Sequence, residues 1–148
     1  MTSLRIRPVE YASGAYQQTL LLRQEILRKP LGLQLSPEDL FAEKNDHHIA
    51  VFEESGLVAC LVLTPLPDNT VKMKQVAVAE EKQGRGIGKK MVKWAEDFSR
   101  KNGYNSIVMN ARKTATGFYS RLGYETLGGP FTEVTVPHYK MKKDLQKT

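Results

Sequence analysis

The segment Gln83-Gly84-Arg85-Gly86-Ile87-Gly88 holds three glycines in five residues, the pattern in this chain best suited to gripping an anion. Glycine lets the backbone approach a ligand closely and adopt positive φ, so that successive N–H groups converge. The residues before this loop read as a strand and those after it as a helix, whose first turn adds partial positive charge. Lys82, Arg85, Lys89, Lys90 and Lys93 crowd the same stretch. A plain strand-to-helix turn needs one glycine, not three, so phosphate binding is the chemistry expected here. Two phosphate motifs do not fit. A P-loop needs glycine where Gln83 stands and serine or threonine after the lysine, but Lys89 is followed by Lys90. A dinucleotide fingerprint needs a third glycine at Lys89, in a loop that opens the fold.

Gln-x-x-Gly-x-Gly, from Gln83 to Gly88, resembles the diagnostic loop of the GNAT superfamily of acyl-CoA-dependent N-acyltransferases. Val76-Ala77-Val78 stands before it at the spacing of that family's central strand. A second segment, Ala115-Thr116-Gly117-Phe118-Tyr119-Ser120-Arg121-Leu122-Gly123-Tyr124, resembles the family's Ala-x-x-Phe-Tyr-x-x-x-Gly-Phe/Tyr motif. The resemblance covers Thr70 to Tyr124. One departure stands out: many relatives carry asparagine three residues before the alanine of the second motif, where this chain has Arg112. Asn110 is the nearest amide, and the pair Ala111-Arg112 is itself similar to family sequences.

The resemblance implies an N-acetyltransferase that moves an acetyl group from acetyl-CoA, its co-substrate, directly to a primary amine, with no metal. By the same resemblance, backbone N–H groups of Gln83, Gly84, Arg85, Gly86, Ile87 and Gly88 hold the CoA pyrophosphate, beside Lys89. Backbone of Val76, Ala77 and Val78 aligns the pantetheine as an added strand and offers one N–H to the developing oxyanion. Asn110 and Phe118 complete the cofactor-binding set. Tyr119 matches the family's general acid, a phenol placed to protonate the departing thiolate. An amine acceptor must lose a proton, and the candidate bases are Glu80, Glu133 and His138. His138 follows Pro137 between two expected strands, free to project toward a cleft. His47 and His48 read as surface residues.

Three other readings compete. The same fold could move a different acyl group. It could also serve as a non-catalytic CoA-binding sensor, which would need neither Tyr119 nor a base. A nucleic-acid module would require aromatics interleaved with the basic cluster, where only Trp94 stands, in phase with a helix's apolar stripe. The acceptor amine has no motif; its selectivity is expected in the region from Tyr16 to Lys44 and in the closing strands. Neither nucleic acid nor membrane is expected as a partner, and a homodimer is left open.

These residues need a scaffold. The chain has 148 residues, read as one domain over 1–148, long enough to close a core without disulfides. Apolar residues make up 41% and charged residues 26%, and no apolar run approaches membrane-spanning length. The N-terminal sequence lacks a signal-peptide core, so a cytoplasmic location is expected. Net charge is +6, which suits an anionic ligand; Lys140, Lys142, Lys143 and Lys147 form a second basic run, read as a solvated face. Cys60, the only cysteine, lies in an apolar run and reads as a core thiol.

The patterning predicts a short strand at residues 4–8, a helix over 16–28 and a short helix begun by Ser36-Pro37-Glu38-Asp39. A meander follows over 48–53, 57–64 and 70–79. Ile87, Met91, Trp94, Ala95 and Phe98 recur at helical spacing up to Asn102-Gly103. A strand over 106–110, a helix over 114–122 and closing strands over 125–127, 131–136 and 139–143 complete the chain. The strand–helix–strand unit over 70–110 should be parallel. The expected fold class is α/β: a single GNAT-like domain, its mixed, mostly antiparallel sheet flanked by helices.

Overall fold

Apolar runs at 49–52 in β2 (His47–Glu53) and 57–63 in β3 (Gly56–Leu66) leave neither face suited to water. In the computed structural model, which describes residues 3–145, both strands lie inside the sheet and these runs are almost wholly buried. Lys147 of the C-terminal basic run lies outside the described residues. The seven strands add β1 (Arg5–Val9), β4 (Thr70–Val78), β5 (Ser106–Arg112), β6 (Glu125–Glu133) and β7 (Val136–Asp144). Their order across the sheet is β1-β2-β3-β4-β5-β7-β6. Every neighbouring pair is antiparallel except β4 and β5, which run parallel as the crossover predicts. The result is the α/β domain with a mixed sheet that the sequence implies.

One irregularity shapes the molecule. The β3–β4 register moves from Val62↔Lys74 to Cys60↔Ala77, which puts an extra residue into β4, and Gln75 there has φ 56°. Such a bulge bends and twists its strand. On the other side of β4 the parallel pairing covers only Thr70↔Ser106, Val71↔Ile107 and Lys72↔Val108. Beyond Lys72 and Val108 the two strands part.

The crossover helix α3 (Ile87–Lys101) buries Ile87, Met91, Val92 and Ala95 in the main core, and Asn102-Gly103, with Gly103 at φ 85°, ends it. Trp94 and Phe98 stack on each other at its partly buried edge. Ser13 caps α1 (Gly14–Arg23), which runs on through a π-type turn, Gln24–Arg28, so the chain stays helical to Arg28 as expected. Ser36 caps the short α2 (Pro37–Phe41) by accepting from the Asp39 N–H. A 3₁₀ turn, Lys113–Ala115, leads into α4 (Thr116–Arg121).

The closing strands differ from expectation. Residues 125–133 form one strand, and Val134-Thr135, expected inside a strand, are the turn of a two-residue hairpin with φ 49° and 65°. Two-residue hairpin turns favour glycine, asparagine and aspartate at these positions, so two β-branched residues carry no turn signal. Pro137 and His138, expected between strands, lie inside β7. The β5–β7 ladder starts at Arg112↔His138, so the missing Pro137 N–H falls just outside it. His48 is a further correction: it is 3% exposed, and its Nε2 meets the Glu43 carbonyl at 2.9 Å. Cys60 is a buried core thiol, its pKa pushed up to about 12 by burial. Among the described residues no helix is long and apolar enough to cross a membrane.

Candidate active site

Where β4 and β5 part, a cleft of ≈ 380 Å³ opens. Lys72, Met73, Lys74, Gln75 and Val76 form one wall and Met109, Asn110, Ala111 and Arg112 the other. Leu27 and Arg28 close it from the π-type turn, Ala115 and Tyr119 from the α4 region, and Glu133, Val134 and His138 from the β6–β7 hairpin. The β4 edge facing this cleft is unpaired past Lys72, so its backbone is available to an extended ligand.

Tyr119 sits at the cleft with its ring edge-on to Phe118 and Tyr124. Burial pushes its phenol well above the ordinary tyrosine range. It therefore stays protonated at neutral pH, with its hydroxyl proton in place.

Across the cleft the Asn110 amide donates to Glu133 Oε1 at 3.0 Å, and Glu133 Oε2 lies 3.7 Å from His138 Nε2. His138 is 4% exposed, with Phe131 stacked on its ring. Its Nδ1 lies 2.9 Å from the Val136 carbonyl, which can only accept, so the neutral ring carries its proton on Nδ1. In that tautomer Nε2 carries the lone pair, on the side of Glu133 Oε2. Glu80 is elsewhere, exposed in the 3₁₀ turn Glu80–Lys82, and does not line the cleft.

The glycine loop links to the same cleft through its neighbours. Gly84 and Gly86 have φ 81° and 79°, and a Cβ on either would meet open space. Close approach by a ligand, not internal packing, is what these two positions permit. The Ile87, Gly88 and Lys89 N–H groups open α3 without intrahelical partners. At Gly88 a Cβ would come into ordinary contact with Phe118 at 3.5 Å and Val78 at 3.7 Å. Gln83 turns its amide back to the Val78 carbonyl at 3.0 Å, tying the loop to the end of β4. Lys82 pairs with Glu53 at 3.0 Å, which leaves Arg85, Lys89, Lys90 and Lys93 exposed around the loop. The donor-rich loop, open space and surplus cations fit a pyrophosphate.

Sequence reasoning missed part of the cleft. A second cavity of ≈ 380 Å³ adjoins the first and shares Arg28, Lys74, Gln75 and Val134 with it. Its deep wall holds Arg23, 1% exposed, paired through two hydrogen bonds with buried Glu43, which also accepts from Tyr16 at 3.0 Å. Glu43 is desolvated, yet the Arg23 guanidinium holds its carboxyl below the usual range. Gln75 keeps a buried amide oxygen with no donor among the described residues. A polar side chain in the apolar alternation of β4 was the available signal for it. Arg112, which stands where relatives carry asparagine, donates to the Leu27 carbonyl at 3.1 Å and lashes the π-type turn to β5. Arg28 gave no signal at all.

Comparison with known proteins agrees with this fold. The family model described as "Acetyltransferase (GNAT) domain" matches residues 24–145. A curated relative, Probable N-acetyltransferase 14 of Xenopus tropicalis, is 31% identical over 85 residues, which are 55% of this chain and 41% of that protein. The chain thus spans under half the length of that relative. Among solved structures, an acyl-CoA N-acyltransferase from Pseudomonas aeruginosa superposes with TM-score 0.82 at 18% identity, covering 95% of this chain and 99% of that one. A GNAT family acetyltransferase from Elizabethkingia anophelis, solved with acetyl-CoA bound, gives TM-score 0.72 at 19% identity, covering 95% and 97%. With a family match over most of its length, the chain belongs to the GNAT acetyltransferases, a family of acyl-CoA-dependent N-acyltransferases.

Proposed function

We propose that this protein transfers the acetyl group of acetyl-CoA to a primary amine by direct attack within the cleft between β4 and β5. The observation that carries the reading is the parting of those strands. It brings Tyr119, His138 and Glu133 around one cavity, beside the β4 edge that β5 leaves free past Lys72. The loop and the start of α3 hold the CoA phosphates, and the free β4 edge, Val76 to Val78, aligns the pantetheine. The amine nitrogen attacks the thioester carbonyl carbon, forming the C–N bond. A β4 backbone N–H steadies the oxyanion, then the C–S bond breaks. Tyr119 gives its phenolic proton to the thiolate. The surplus amine proton passes to His138 Nε2, with Glu133 beside it to balance the charge. A panel of amines and peptides, assayed with acetyl-CoA for free thiol and for acetylated product, tests the assignment. Tight CoA binding without thiol release for any amine would replace it with the CoA-sensor reading.

A further inference from the structure

The cleft carries more positive charge than acyl transfer requires. Arg28 and Arg112 line it from two different elements, the π-type turn after α1 and the end of β5. Lys72 and Lys74 line it from β4, with Lys74 leaning toward Asp46 at 3.7 Å. Against these cations the first cavity presents one carboxylate, Glu133. Neither guanidinium is in a salt bridge among the described residues; Arg112 uses one N–H on the Leu27 carbonyl. Burial lowers the Arg112 pKa, and the nearby Arg28 charge lowers it further. Like charges converging in a partly desolvated cleft are unfavourable until an anion joins them. A guanidinium fork matches the oxygens of a carboxylate or phosphate, and no other common group so well.

Resting on the transferase reading above, we propose that Arg28 and Arg112 form an anion subsite, so that the acceptor is a small amine also bearing a carboxylate or phosphate. Glu133 attracts the ammonium end of such a molecule while the guanidiniums hold its acid end. The two adjoining cavities, ≈ 380 Å³ each and joined at Arg28, match a metabolite-sized ligand.

The test uses three amines of one chain length: an alkylamine, an amino carboxylate and an amino phosphate ester. With acetyl-CoA, the parent should turn over one acid-bearing amine with kcat/KM about tenfold or more above the alkylamine. Whichever acid wins names the anion. Arg28→Gln should erase the preference and Arg28→Lys should restore only part of it. Calorimetry with CoA-saturated protein reads binding of the same amines separately, and a retained CoA-induced rise in Tm shows that each variant folds. Equal or better use of the alkylamine overturns the subsite and leaves the transferase reading intact. Binding of the acid-bearing amine without turnover does the reverse. A preference that survives in both Arg28→Gln and Arg112→Gln, an absence of binding by all three amines, or a stronger preference for an acidic peptide also overturns the proposal.

Discussion

Asn110 in β5 donates its amide to Glu133 at the end of β6, a 3.0 Å bond that spans β7 and holds the carboxylate beside His138. The amide fixes one carboxylate oxygen and leaves the other facing Nε2. A proton taken up at Nε2 would meet a negative charge already in place.

If His138 accepts the amine proton, kcat/KM should rise with pH in the parent along a limb that His138→Ala lacks. Acetyl-CoA should still raise the Tm of this variant. Superimposed profiles would make His138 scaffold and leave Glu133 as the next base to test.

Tyr119→Phe keeps the ring packed against Phe118 and Tyr124 and deletes only the hydroxyl. We expect kcat to fall by roughly 10²-fold with CoA affinity unchanged, in the range of a lost general acid. Single-turnover kinetics check it, because an unchanged chemical step means that water protonates the thiolate.

Gly86→Glu places a side chain and a negative charge where the loop is open, at a residue with φ 79°. The variant should lose the acetyl-CoA-induced rise in Tm. Gly103→Ala serves as the control: it carries similar strain at φ 85° but lies at the far end of α3, so the ligand-induced rise should persist.

Removing one partner of the buried Arg23–Glu43 pair leaves the other charge stranded. Arg23→Met should cost about 3–5 kcal/mol, whereas Arg23→Met with Glu43→Leu should come out near neutral. Glu43 has its pKa lowered in the fold, so its contribution is present above the unfolded carboxylate value and fades as pH falls through the folded one. His48 is held neutral by burial, which lowers its pKa, so its contribution is also present at higher pH and lost on acidification. Tm should therefore drop first as pH falls below about 6.5, where an unfolded histidine charges, and again below the carboxylate range. Glu43→Gln should flatten the second drop; thermal melts across pH 3–8 measure both.

Val134 and Thr135 hold the positive φ of a two-residue hairpin turn that β-branched residues resist. Replacing them with Asn and Gly should stabilise the protein by about 1–2 kcal/mol. Because Val134 lines both cavities, the same change should shift KM for the amine and leave KM for acetyl-CoA unaltered.

The sequence by itself determined what depends on neighbours along the chain. The glycine loop and the start of α3 follow from glycine's freedom and helix-end electrostatics within six residues. The apolar spacing of α3, the Ser36 cap and the buried runs of β2 and β3 are local in the same way. The motif from Ala115 to Tyr124 brought Tyr119 with it. Tertiary structure decided the rest. A bulge at Gln75 leaves little trace in the sequence beyond one polar residue in an apolar alternation, yet it accompanies the parting of β4 from β5. His48 is buried because the Tyr16 ring, from α1, packs edge-on against it and the Glu43 carbonyl meets its Nε2. Val134-Thr135 reads as strand by propensity, and the hairpin register overrides that preference. Arg112 bonds to Leu27 across 85 residues of sequence and so meets Arg28. No local period or propensity encodes such a meeting, because it exists only when the sheet and the π-type turn close on each other.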